Sequence, residues 1–172
     1  MVNSGREKWI KINREKYQVN QLGRLGHAET MLREAEASYI QGIFYGCIFC
    51  IHSAFGSYLI QRLNVDPKLR GNMVRIDSLR ELLDKADFLS NQIKQEISEF
   101  SRIRGNLEHP KTQLEILFAD WKNDTEDGSA TLRMKENDEL EGGIWFDPMK
   151  TAKNGLKTYY KMCKEIYDHL SN

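Results

Sequence analysis

A mainly α fold is what this sequence predicts: a helical bundle of four main helices with a small β insertion. Three observations carry it. Apolar residues recur at helical spacing over long stretches, most clearly Met31, Leu32, Ala35, Tyr39, Ile43, Cys47, Ile51, Ala54, Phe55, Tyr58 and Leu59. Helix stop and start signals bracket such stretches: Asn64-Val65-Asp66-Pro67, then Pro110, then Asp147-Pro148. Residues 112–146 instead mix short β-prone runs with turn-forming clusters. The 172 residues show no internal repeat, low-complexity tract or linker, so one domain, 1–172, is expected. It divides into a basic N-terminal segment 1–26, a helical bundle 27–111 and 147–171, and the β insertion 112–146.

Within 8–20, Trp9, Ile10, Ile12, Tyr17 and Val19 fit either two short strands joined at Asn13–Lys16 or one helix. The first long helix is expected from His27 to Leu63. Its small residues Gly42, Gly46, Cys50 and Ala54 step by four, a ridge that lets a second helix approach closely, in this chain or in a partner. A short helix near Met73–Lys85 carries Ile76, Leu79, Leu82 and Leu83. The next, Phe88–His109, presents Ile93, Ile97, Phe100 and Leu107 on one stripe. It stops at Pro110, because the residue before proline resists the α conformation. Gln113–Phe118, Ala130–Met134 and Gly143–Phe146 read as strands, with turns at Asn123–Ser129 and Glu136–Gly142. Asp147 as N-cap and Pro148 as first helical residue open the last helix, which runs to about Leu170.

Composition narrows the partners. Lysine plus arginine equal aspartate plus glutamate at 25 each, so the net charge is zero. A broad basic face for nucleic acid is therefore excluded, and any RNA contact must be local. Charge is nonetheless uneven. Residues 1–26 hold six basic residues against Glu7 and Glu15, whereas residues 115–141 hold nine acidic residues against Lys122, Arg133 and Lys135. These two arms pair with each other, pair within a dimer, or are simply solvated surfaces. Ile43–Ile60 is apolar and nearly long enough to span a bilayer, but His52 at its middle makes a buried core helix the expectation, with no membrane partner. Three cysteines, Cys47, Cys50 and Cys163, without an apolar leader at Met1–Lys8 suit a reducing, cytoplasmic setting. Cys47-Ile48-Phe49-Cys50 lacks the second pair a zinc ribbon needs and is read as core packing. No metal or other cofactor is expected.

The chemistry concentrates at the end of the Phe88–His109 helix, in Ser101-Arg102-Ile103-Arg104-Gly105-Asn106-Leu107-Glu108-His109-Pro110. Arginine can hold a phosphate, and histidine can move a proton near neutral pH. At about 100° per residue, Glu99, Arg102, Asn106 and His109 share one face, while Arg104 falls close to the apolar stripe of Phe100 and Leu107. Helix geometry thus places Arg102 beside His109. Arg104 needs a distorted last turn, or a dimer cleft, to reach it. His52 is expected as a hydrogen-bonded core histidine whose helix packs near this one. A bland alternative makes both arginines structural ion-pair partners and His109 a helix C-cap.

Ile103-Arg104-Gly105-Asn106-Leu107-Glu108-His109-Pro110 resembles the R-x4-6-H signature of the HEPN superfamily, helical domains that are often ribonucleases. The resemblance nominates Arg104 and His109 as catalytic residues, with Arg102, Asn106 and Glu99 in support. It implies a metal-independent endoribonuclease that cleaves RNA by 2′-OH attack in a composite cleft of a homodimer. The implied products are a 2′,3′-cyclic phosphate and a 5′-OH. It further implies a toxin or defence effector with a cognate antitoxin. The sequence departs from the pattern at Gly105, where the family usually has a polar residue. That departure leaves open a catalytically inactive HEPN-like module that binds protein or RNA, and beside it an unrelated helical dimerisation protein.

Overall fold

The computed structural model describes residues 4–22, 26–65, 78–108, 114–118, 132–136 and 144–171. The protein is mainly α. Its helices are α1 (Ser4–Lys16), α2 (Gly26–Gln41), α3 (Phe44–Val65), α4 (Leu79–Lys85), α5 (Asn91–Glu108) and α6 (Pro148–Ser171). A 3-10 turn, Val19–Leu22, follows α1. Between α5 and α6 lie three short strands, β1 (Leu114–Phe118), β2 (Leu132–Glu136) and β3 (Ile144–Phe146). They pair antiparallel in the order β1-β2-β3, with Leu114 opposite Glu136 and Leu132 opposite Phe146. Residues 66–77 and the turn assigned to 123–129 lie outside the described residues.

One expectation needs correction and one open alternative is decided. The single helix His27–Leu63 is a hairpin of two, α2 and α3, broken at Gly42. Gly42 has φ +83°, its N–H bonds to the Tyr39 carbonyl at 3.2 Å, and the Ile43 N–H bonds to the Ser38 carbonyl at 2.8 Å. That pair of bonds is a Schellman C-cap, which needs one left-handed residue, and glycine takes that conformation without a Cβ penalty. Of the two readings of residues 8–20, the helix is correct: α1 continues to Lys16 and then turns.

Helix α1 joins the bundle largely through polar and aromatic anchors. Ile10 and Val19 enter the common core. Trp9 lies 5.6 Å from Tyr39 and 6.4 Å from Tyr160, centroid to centroid. Arg14 clamps Glu36 of α2 through two 2.8 Å bonds, and the Tyr160 hydroxyl of α6 donates to the same carboxylate at 2.6 Å. Burial pushes the Glu36 carboxyl up, and Arg14 opposes that push. Leaving such a buried carboxylate without its partner costs about 3–5 kcal/mol.

One member of the ridge of small residues packs within the chain. Gly46 faces Ser38 of α2, whose Oγ would lie 3.5 Å from a Cβ at that position. The apolar stretch 43–60 is a core element: Ile48, Ile51, Phe55 and Leu59 are fully buried. Among the described residues no helix is long and apolar enough to cross a membrane.

Helix α5 is amphipathic because Ile93, Ile97 and Phe100 fall on one face and bury there. Ser90 caps it, accepting from the Ile93 N–H at 3.3 Å. Glu165 of α6 then grips the cap, accepting from the Ser90 N–H at 2.9 Å and from its hydroxyl at 2.7 Å. Helix α6 starts as its sequence dictates, with Asp147 Oδ1 accepting from the Lys150 N–H at 2.9 Å.

Candidate functional site

Helix α5 packs against α3 on one side and borders a groove against α6 on the other, and the nominated residues divide between the two sides. On one side α5 runs antiparallel to α3 through three successive contacts. The Phe55 and Phe100 rings meet edge to face at 5.9 Å. One turn along, His52 Nε2 and Ser101 Oγ stand 3.0 Å apart. One turn further, the Arg104 guanidinium lies 5.7 Å from the Phe49 ring centroid. Phe49 and His52 are three apart on α3, as Ser101 and Arg104 are on α5. Each pair therefore shares a helix face and the two contacts stack as neighbouring rungs. Arg104 is half-buried with its planar cation against an aromatic ring, an arrangement suited to guanidinium.

On the other side α5 runs antiparallel to α6. Lys161 Nζ binds both oxygens of Glu96 at 2.7 and 2.9 Å, and the Thr158 hydroxyl donates to Glu96 at 2.9 Å. Burial alone would raise the Glu96 carboxyl; bonds from Lys161, Thr158 and Gln92 outweigh it and hold it below the usual carboxylate value. Further along, Phe100 packs against Gly155. Glu99 lines this groove, and its Oε1 accepts from Gln95 at 2.9 Å.

The supporting residues are thus spread around the helix. Glu99 faces α6, Arg104 faces α3, and Arg102 is exposed to solvent. Gly105 is half-buried, and a Cβ added there would meet nothing within 4 Å. His109 and the side chain of Asn106 lie outside the described residues.

Two partners went unread in the sequence. Phe49 carries no mark that separates it from other apolar residues of α3, although its spacing of three from His52 was visible. Ser101 was visible only as part of the motif string. His52 is half-buried and hydrogen-bonded, as a core histidine should be, and its partner is on the motif helix itself.

The other sulfur and acid groups do not form a second centre. Burial pushes the Cys163 thiol up to about 12 and raises Cys47 and Cys50 as well, so all three favour the protonated form that packs rather than reacts. Among the described residues no group of three or more His, Cys, Asp or Glu is placed to hold a metal ion. The chain matches no protein-family model, no curated protein and no solved structure.

Proposed function

We propose that the chain is a HEPN-like helical domain, with β1–β3 as its insertion, that cleaves RNA as a metal-independent endoribonuclease. The observation that carries this reading is the seating of Arg104. Its guanidinium is held over Phe49, one turn from the His52–Ser101 contact, on the helix whose chain continues to His109. A cation fixed beside an imidazole-bearing helix is what a charged phosphorane needs, because preorganised charge lowers the barrier without reorganising during reaction.

In this mechanism the substrate's 2′-oxygen attacks the adjacent phosphorus and the bond from phosphorus to the 5′-oxygen breaks. The products are a 2′,3′-cyclic phosphate and a 5′-OH. His109 takes the 2′-OH proton or returns one to the leaving 5′-oxygen. Arg104 neutralises the phosphorane, and Arg102, exposed on the same helix, meets a flanking phosphate. The homodimer follows from the resemblance alone. So do the toxin or defence role and a cognate antitoxin.

The second reading, an inactive HEPN-like module binding RNA or protein, is favoured by the packing of Arg104 against Phe49, which would serve equally as a structural anchor. Purified protein, His109→Ala and Arg104→Ala are assayed on single-stranded RNA with EDTA present. The nuclease reading expects cyclic-phosphate ends from the parent and a loss of at least about a hundredfold in each variant, the usual scale for acid–base and electrostatic groups. Equal cleavage by all three rejects these residues, and no cleavage by any supports the inactive module.

A further inference from the structure

The groove between α5 and α6 has a volume of about 300 Å³, within the lower range of small-ligand sites. Its depth has a local cause. Phe100 lies directly on the Gly155 backbone, so the helices close at that level and form an apolar floor that Ile103 extends. At one end Glu96, Lys161 and Thr158 bind one another and neutralise their charges. The contacts Ser90–Glu165, Glu96–Thr158 and Phe100–Gly155 fix an antiparallel register. In that register Glu99 stands opposite residues 154–157 of α6. The two remaining charges on the rim are therefore an acid on one wall, Glu99, and a base on the other, Lys157, with the Asn154 amide beside it. All three are exposed.

An apolar floor between an acceptor wall and a donor wall suits a heterocycle with donors on one edge and acceptors on the other. Guanine has that pattern: N1–H and the exocyclic amino group donate on one edge, and O6 and N7 accept on the other. We propose that this groove is a guanine subsite, with Glu99 receiving the N1–H and amino donors, Lys157 donating to O6 or N7, and the ring lying over Ile103. Cytosine and uracil lack the second acceptor edge and the ring area. Glu99 Oε1 already accepts from Gln95, which holds the carboxylate in place and leaves each of its oxygens a lone pair for one guanine donor. That the guanine belongs to a substrate RNA rests on the nuclease reading; the subsite itself does not.

The test is an amide NMR titration of the full chain in EDTA with 5′-GMP, 5′-CMP, and short single-stranded RNAs with and without one guanine. Expected are saturable shifts at Ile103, Asn154 and Gly155 with GMP and with the guanine RNA, and affinity at least about tenfold weaker for CMP. Glu99→Gln, a substitution at an exposed position, should cut GMP affinity by about tenfold while leaving the remaining spectrum unchanged. The proposal is overturned by an absence of shifts in the groove at millimolar GMP or by equal shifts with CMP; GMP binding that the guanine RNA does not share supports the subsite and removes only its assignment to a substrate RNA. Cleavage is scored separately: guanine binding without cleavage removes the nuclease reading alone, and cleavage without groove shifts removes the subsite alone.

Discussion

The ring of Phe100 lies so close to Gly155 that a Cβ at position 155 would fall 2.3 Å from its nearest carbon. Two effects oppose each other in Gly155→Ala. Alanine gains about 1 kcal/mol over glycine within a helix. Overpacking costs about 1–3 kcal/mol. Phe100 is 5% exposed and already meets Phe55, so it has little room to swing aside. Overpacking should win, with a net loss of up to about 2 kcal/mol. Urea denaturation of the variant checks it; an unchanged or higher midpoint would mean that α5 and α6 can part freely.

Gly105 is the opposite case on the same helix. A Cβ there enters open space, so only the backbone effect remains. Gly105→Ala should stabilise the protein by about 1 kcal/mol, read as a higher thermal midpoint. RNA cleavage should persist in the variant, because beyond its chain neighbours the added methyl group meets nothing within 4 Å. Cleavage lost alongside a stability gain would show that the last turn must loosen for the site to assemble.

The difference between these two glycines was invisible before the helices were placed, and the same holds for most of what the sequence left unread. The start of α6 was legible because Asp147 and Pro148 act within one turn, and the Asp147 carboxylate does cap the helix. The break at Gly42 was not. The apolar spacing runs unbroken from Tyr39 through Ile43 to Cys47, and the single left-handed residue that ends α2 interrupts it without shifting its phase. Helix α1 was ambiguous because its stability is long-range: Arg14 with Glu36, and Trp9 with Tyr39 and Tyr160. At the site, helical angle correctly put Arg104 next to the Phe100 stripe. It could not say that Phe49 would receive the guanidinium, nor that Glu99 would turn toward α6, since both depend on which helix covers which flank of α5.

Acid should loosen the α5–α6 contact through Glu96. Hydrogen bonds hold its folded pKa below the ordinary 4.5. Between the two values the unfolded chain binds more protons than the folded one, so stability rises with pH there. The contribution of the ionised carboxylate is complete above the unfolded value and disappears as pH falls through the lowered folded value. Glu96→Gln removes this titration, so the parent protein should lose stability over that acid range faster than the variant. Parallel denaturation curves from pH 6 to pH 3 provide the comparison, and identical slopes would show that Lys161 and Thr158 do not grip the carboxylate in solution.

Phe49 offers a way to separate an anchored arginine from a working one. Phe49→Leu keeps an apolar side chain against α5 but removes the π face beneath the Arg104 cation, an interaction of about 0.5–2 kcal/mol. A double-mutant cycle with Arg104→Ala should therefore return a coupling of about that size in stability, because the two residues touch. Cleavage adds a second axis. A guanidinium that has lost its support still carries its charge but is no longer held where the phosphorane forms. Phe49→Leu should then lower kcat by about tenfold with little change in KM, and Phe49→Leu combined with Arg104→Ala should be no slower than Arg104→Ala alone. Stability coupling with no kinetic effect would make the pair a clamp between α3 and α5 and nothing more. A kinetic loss that adds fully to that of Arg104→Ala would place Phe49 in contact with RNA directly, rather than acting through the arginine.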